Sequence, residues 1–234
     1  MLQYPQYIFS TEILKLVGKK NLSNYKKGID IPCGSGYTTY YLSKGNAISW
    51  LGVDVDKTSI DFAVKKFSGR KVTFQINDIF LKLQKLKDVD ILCVINSIFL
   101  LPDHDRLFNL VYSCLNTEGE GYFIIPNVDS KNYHSFINKN PNVNVKEYRI
   151  DVLVGLLAKI NLVTQNVKGI CYANMYGRKE IRFMSRLAPY YLIALNYIMT
   201  FWKAGTPSYF LIKIKKATSP NPPKLYEEKN PAYV

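Results

Sequence analysis

Long apolar runs are missing from this sequence, and nowhere does it reach the roughly 18 uninterrupted apolar residues that a membrane span requires. The longest candidate, Leu187 to Trp202, is broken by Pro189 and Asn196. Met1 to Phe9 offers no cationic start followed by an apolar run, so the opening does not read as a secretory signal. Histidine is scarce, with two in 234 residues. The four cysteines (Cys33, Cys93, Cys114 and Cys171) lack the paired spacing of a metal site. Cys93 sits in an apolar strand-like run, Cys114 on a helix-like face and Cys171 near a strand end. That placement suits reduced core thiols and a cytoplasmic protein that needs no metal. Apolar residues at 47% and charged ones at 21% exclude a disordered or fibrous chain.

Acidic residues are also in deficit, 18 against 31 Lys and Arg, for a formal charge of +13. Such a charge can serve acidic partners. Lysine dominates, however, and it is spread along the chain with mild clusters at Lys19–Lys20, Lys65–Lys71 and Lys213–Lys216. A nucleic-acid surface would more often show arginine among its contacts and a basic stripe on one element. The spread therefore argues against nucleic acid as the partner.

Strand-like and helix-like patterns alternate, which predicts a parallel sheet covered by helices. Strands are expected at Lys27–Ile31, Ile48–Val53, Val72–Ile76, Asp90–Ile95, Tyr122–Ile125, Val163–Tyr172 and Tyr209–Ile214. The continuous apolar run at Asp90–Ile95 suits a central strand buried on both faces. Ile60, Ala63, Val64 and Phe67 repeat at helical spacing behind Asp56 or Thr58 as N-cap. Leu107, Leu110, Val111 and Cys114 form a second such face, and Leu153, Leu156, Leu157 and Ile160 a third. The expected architecture is α/β: a Rossmann-like, doubly wound, seven-stranded sheet, mostly parallel with an antiparallel last strand, and helices on both faces. Residues 1–218 form a single domain, with an insertion at 174–206 that is too long for a hairpin and carries one or two helices. The tail, 219–234, is rich in Pro, Lys and Glu and reads as loose.

The chemistry is concentrated at strand ends. Gly28-Ile-Asp-Ile-Pro-Cys-Gly-Ser-Gly36 lies where the first strand meets the first helix of the alternating pattern. Glycines there let the backbone approach a ligand closely, and the helix supplies unpaired N–H groups. Asp54 closes the second strand in Gly52-Val-Asp-Val-Asp56, where an acid can accept both hydroxyls of a ribose. Asn77-Asp78-Ile79 follows the third strand, within reach of an adenine amino group, and Asn96-Ser97 follows the fourth. Polar groups at the carboxyl ends of four successive parallel strands describe one crevice at the sheet's switch point. A nicotinamide dehydrogenase would want a third glycine three residues after Gly36, and position 39 is Thr.

This constellation resembles the class I S-adenosylmethionine-dependent methyltransferases. Their first motif runs approximately D-x-G-x-G-x-G, an acid closes strand two in a G-V-D context, an acidic or amide pair follows strand three, and strand four leads into L-P-D. The chain supplies Asp30, Cys33, Gly34, Gly36, Asp54, Asn77, Asp78, Asn96 and Leu101-Pro102-Asp103 in that order, over about residues 25 to 130. Pro32 departs from the pattern, standing where the family often has its first glycine, and it removes a backbone donor.

The resemblance implies S-adenosylmethionine as cofactor. Gly34 and Gly36, with Cys33 beside them, would border its methionine moiety, and Asp30 would support the loop or meet the amino group. Asp54, followed by Val55, would hold the ribose. Asn77, Asp78 and Ile79 would face the adenine, and Asn96 would sit beside the sulfonium end.

The acceptor is less legible. A base is needed only if the acceptor must lose a proton. The candidates are His104, in the segment after strand four and otherwise a solvated loop residue, and His134, in the loop after strand five. The loop Asn96-Ser-Ile-Phe99 lacks the N/D-P-P-Y pattern of base-amino methylation, and Pro32-Cys33 lies in the cofactor loop rather than at a cytosine-type nucleophile position. Small metabolites, sugars and lipid-like acceptors remain, methylated at oxygen or nitrogen.

In the insertion, Arg178, Lys179, Arg182 and Arg186 precede the aromatic-aliphatic stretch 187–202. Segment 178–202 reads either as a contact with anionic headgroups or an anionic ligand, or as a helix packed on the sheet or at a homodimer interface. Tyr4 and Tyr7, ahead of the first helix, read as a lid or as surface packing. Two other classes stay open: a catalytically silent methyltransferase-fold subunit, and an RNA-binding protein or RNA methyltransferase that uses the basic surface.

Overall fold

A computed structural model describes residues 4–139, 149–171 and 206–217, together with 194 and 197–199. Its strands are β1 (Lys27–Asp30), β2 (Ser49–Asp54), β3 (Val72–Ile76), β4 (Val89–Ile95), β5 (Leu115–Pro126), β6 (Leu162–Ile170) and β7 (Tyr209–Lys216). The helices are α1 (Tyr4–Asn24), α2 (Tyr37–Leu42), α3 (Lys57–Phe67), α4 (Ile79–Lys85), α5 (His104–Cys114), α6 (Lys131–Lys139) and α7 (Ile150–Lys159), with a 3-10 turn at Ile98–Leu100. One seven-stranded sheet results, in the order β3-β2-β1-β4-β5-β7-β6. Strands β1 to β5 pair in parallel, and β7 runs antiparallel to both β5 and β6. The doubly wound sheet expected from the alternating pattern is thus present, with the last strand reversed. Its order turns back between β1 and β4, and there the carboxyl ends open a crevice.

Period-two alternation divides the core. In β4, Leu92 and Val94 pack with α4, α5 and α7 on one face, while Ile91, Cys93 and Ile95 pack with α1 and α2 on the other. A smaller cluster joins α3 to β3 through Ile60, Ala63, Val72, Phe74 and Cys33. All four cysteines are buried and none is bonded to another. Helix starts are set by short acids: Asp56 accepts from the backbone N–H groups of Thr58 and Ser59, Asp78 from Leu81 and Asp103 from Arg106.

Three local expectations are corrected. Tyr4 and Tyr7 belong to α1 and do not precede the first helix. Phe9, Ile13 and Val17 fall at i, i+4, i+8 along α1, but polar Ser10 and Glu12 are buried with them, which hides the apolar stripe. Gly18, at a φ of 77°, interrupts this helix. His134 lies within α6 and not in a loop. His104 is no solvated loop residue: it opens α5, is 3% exposed, and its Nε2 lies 2.7 Å from the Ile98 carbonyl. The proposed membrane or dimer segment, 178–202, falls outside the described residues apart from 194 and 197–199. In that stretch the Tyr197 hydroxyl accepts a 3.2 Å bond from Lys15 of α1. The tail 219–234 also lies outside. Among the described residues, no helix is long and apolar enough to cross a membrane.

The far ends of the strands are tied by a buried charge. Glu120 on β5 is fully buried and paired with Lys213 at 2.9 Å and Lys215 at 3.5 Å, both on β7, and it also accepts from Asn21 of α1 and Tyr122. Removing one partner of a buried pair strands the other. Glu120→Leu is expected to cost about 3 kcal/mol, on the order of 10 °C in melting temperature. A shift within 2 °C in a thermal scan would show that the cluster bears little of the fold.

Candidate functional site

The crevice is built around two carboxylates. Asp54 ends β2, and its side chain does two jobs at once. One oxygen accepts the Gly34 N–H at 2.7 Å and the other the Asp56 N–H at 3.0 Å. The glycine turn is thereby fastened to the end of β2, and a second strap runs from the Cys33 N–H to the Val53 carbonyl at 2.9 Å. Gly34 and Gly36 both take positive φ, 51° and 75°. A Cβ on Gly34 would meet nothing within 4 Å, so open space faces that backbone. A Cβ on Gly36 would lie 2.6 Å from the Phe74 ring and 2.8 Å from Ala63, so this glycine lets α2 start hard against α3 and β3. The Ile31–Pro32 peptide is cis, and the Ile31 N–H bonds the Cys93 carbonyl at 3.0 Å.

Asp30, at the end of β1, is 1% exposed. Its Oδ2 accepts the Thr39 hydroxyl at 2.6 Å, while Oδ1 is buried without a partner. Burial pushes its carboxyl up to about 7, with the nearby Asp54 charge adding to the rise and the Thr39 bond opposing it. Position 39, notable in the sequence only as a missing glycine, thus holds the hydroxyl that orients Asp30. Burial likewise raises the Cys33 thiol well above its ordinary range, so it is not a poised nucleophile.

The third and fourth strand ends complete the rim. The Asn77 N–H bonds the Asp54 carbonyl at 3.0 Å, drawing the β3 end toward β2. Asp78 is exposed and its Oδ1 caps α4 through the Leu81 N–H at 2.9 Å, so one acceptor of the expected adenine pair is already engaged in a helix start. Ile79 is 5% exposed and packs inward, whereas Val55 and Ile76 are 58% and 48% exposed beside Asp54 and Asn77. Asn96 takes a φ of 50°, a left-handed conformation that asparagine tolerates, and its N–H bonds the Ile124 carbonyl at 2.8 Å. Asp30, Cys33, Gly34, Gly36, Asp54, Val55, Asn77 and Asn96 therefore share one end of the sheet.

Sequence reasoning stopped at Asn96-Ser97 and missed the buried polar residues at the β5 and β7 ends. The Ser97 hydroxyl is buried without a partner. Asn127, Ser130 and Ser208 are all buried at the β5 and β7 ends. The Asn127 N–H bonds the Ser208 carbonyl at 2.9 Å, and the Ser130 N–H bonds the Asn127 carbonyl at 3.0 Å, which starts α6. Small polar residues in loops carry no periodic signal, so only the fold gathers them. His134 is exposed one turn into α6, its N–H on the Ser130 carbonyl at 3.2 Å. His104, buried against Ile98, does not join the rim.

Comparison with known proteins agrees with this geometry. Residues 29–119, which span β1 to the start of β5, match a family model described as a methyltransferase domain. Phosphoethanolamine N-methyltransferase 1 of Triticum aestivum is 24% identical over 131 residues, 53% of this chain but only 26% of the wheat enzyme. Among solved structures, a S-adenosylmethionine-dependent methyltransferase from Archaeoglobus fulgidus superposes with a TM-score of 0.61 at 20% identity, over 90% of this chain and 94% of that one. Phosphoethanolamine N-methyltransferase 2 of Haemonchus contortus, in complex with S-adenosylmethionine, gives 0.61 at 15% identity, over 89% of this chain and 52% of that one.

The buried carboxyl has a stability signature. Unfolded, Asp30 ionises near 3.8; folded, it holds its proton to about 7. Between those values the unfolded state sheds a proton that the folded state keeps, so stability falls as pH rises through that window. The advantage of Asp30→Asn over wild type is therefore expected to grow from pH 5 to pH 8, by on the order of 2 kcal/mol. Urea denaturation without ligand measures it, and a pH-independent difference would rule out the raised carboxyl.

Proposed function

Because residues 29–119 form a methyltransferase domain of the class I kind, we propose that the protein binds S-adenosylmethionine at this rim and methylates a small acceptor at oxygen or nitrogen. The arrangement of Asp54 carries the reading. A carboxylate offers about four lone-pair sites, and the two backbone donors leave two for a pair of vicinal hydroxyls. The open space at Gly34, the unpartnered Oδ1 of Asp30 and the exposed apolar Val55 and Ile76 fit the methionine and adenine ends of the same molecule. Bound there, the cofactor supplies an electrophilic methyl on sulfur.

The chain's own part is to hold and to exclude. Gly34 and Gly36 keep the turn close, and Asp54 fixes turn and ribose together. Asn96 positions the β4 end, and the buried carboxyl of Asp30 either braces the turn or meets a cationic amino group. Methyl transfer from a sulfonium is largely alignment and exclusion of water, so the buried polar residues Ser97, Asn127 and Ser130, beyond Asn96, are the candidate acceptor side of the site. His134, on α6, is the candidate proton acceptor on that side. Small-amine acceptors gain support from the wheat and nematode proteins, both phosphoethanolamine N-methyltransferases by name.

Calorimetric titration with S-adenosylmethionine and S-adenosylhomocysteine tests the reading. Micromolar affinity, about −8 kcal/mol, is expected, weakened at least tenfold by Asp54→Ala. Absence of binding by folded wild-type protein would favour a silent methyltransferase-fold subunit. Once an acceptor is found, His134→Ala should lower turnover about 100-fold if the histidine takes a proton. Unchanged turnover would remove it from the chemistry.

A further inference from the structure

The face of α2 and α3 that turns away from the sheet carries a continuous strip of rings. Tyr7, Tyr41, Tyr37, Phe62, Phe67 and Tyr40 follow one another with centroids 4.6 to 6.4 Å apart, and Tyr40 stacks on Phe67 at 25° between planes. Phe62 is 41% exposed. Lysines lie on this strip. Lys66 Nζ sits 4.9 Å above both Tyr37 and Phe62 and donates to the Tyr37 hydroxyl at 2.7 Å, and Lys44 Nζ sits 4.3 Å above Tyr40. The strip ends in an open hollow of about 590 Å³ lined by Tyr40, Lys44, Phe67, Lys71 and the Gly45–Ala47 backbone. Among the described residues, Lys44, Lys66 and Lys71 have no carboxylate partner, and the one acid of this face of α3, Asp61, is paired to Lys57 at 2.6 Å.

The hollow is not part of the cofactor rim. Ala47 precedes β2 and Val72 begins β3, so it sits at the amino ends, about 17 Å along the strands from Asp54. Tyr37, by contrast, follows Gly36 directly. The strip therefore runs the length of α2, from beside the glycine turn down to the hollow.

We propose that this strip binds single-stranded nucleic acid, with one nucleotide unit seated in the hollow. Partly exposed aromatic rings beside lysines that have no carboxylate partner, Lys66 bonded only to the Tyr37 hydroxyl and Lys71 to the Asn46 carbonyl, are what an unstructured strand recognises, because every base has a flat face and every linkage a negative charge. Lys44 lies far along the sequence from the Lys65–Lys71 cluster, and the packing of α2 on α3 brings it to the same face as Lys66 and Lys71. Phosphates would draw their ammonium groups off the ring faces, leaving the rings to bases. No carboxylate lines the hollow to oppose an anion.

Fluorescence anisotropy of the full chain with a labelled ten-nucleotide oligouridylate tests this. Micromolar binding at 50 mM salt is expected, with affinity falling as salt rises, by a log–log slope of about −2 for three contacted phosphates. The pair Lys44→Ala with Lys66→Ala should weaken binding at least tenfold and flatten the slope by about 1.4. The control pair Lys85→Ala with Lys159→Ala, on helices of the other face, should change it less than twofold. Four results would overturn the proposal. They are no binding at 50 mM salt, wild-type affinity in the strip pair, uridine monophosphate competing as well as the oligomer, or the strip pair losing anionic-vesicle binding while the oligomer never binds. The strip pair keeps wild-type affinity for S-adenosylmethionine by calorimetry, so this test and that of the cofactor rim fail separately.

Discussion

The bond from the Gly34 N–H to the Asp54 carboxylate is the constraint on which the rest of the rim depends. It joins the turn after β1 to the end of β2, two segments twenty residues apart, and it leaves the same carboxylate able to accept more. Substituting a neutral acceptor would keep one backbone donor and lose the charge that assists the 2.7 Å bond to Gly34. With Asp54 in place, Gly34 faces open space, Cys33 is held to Val53, and α2 begins at a fixed point against Phe74 and Ala63. Asn77 is then drawn in by the Asp54 carbonyl, so the third strand end is positioned by the second.

The two carboxyls of the rim are near each other and sit in different surroundings. Asp54 is met by two backbone N–H donors; Asp30 is buried, met by one hydroxyl, and its Oδ1 has no partner. Desolvation therefore wins at Asp30, and the charge on Asp54 pushes the same way. A cation beside Oδ1 would oppose the desolvation and lower the Asp30 carboxyl again.

Much of this was legible in the sequence, for physical reasons that differ by element. The strands of the parallel half announce themselves as short apolar runs between glycine and acid, and the N-cap at Asp56 follows from local chemistry alone; Asp78 and Asp103, read for the cofactor pattern, prove to cap α4 and α5. The seven-stranded sheet with its reversed last strand was expected and is found. What escaped is whatever only packing decides. The long helix α1 buries Ser10 and Glu12, and Glu12 is paired both with Lys15 of the same helix and with Lys168, far along the chain. His104 reads as a loop residue until α5 starts with it and closes it against Ile98. Thr39 and Ser97 show their roles only once a partner, or the lack of one, is visible.

A net charge of +13 spread over 234 residues says little about where a partner lands. The fold sorts it: Lys213 and Lys215 are consumed internally by Glu120 and Lys168 by Glu12, while Lys44, Lys66 and Lys71 are left on one ring-covered face. Helix α2 bears on both regions, because it begins at Gly36 and ends beside Ser43 and Lys44. A strand lying along α2 would approach the glycine turn from outside, through Tyr37, without crossing the side where an acceptor would sit. Any coupling between the two sites would therefore have to pass through the seating of α2 on Phe74 and Ala63, where Gly36 leaves no slack.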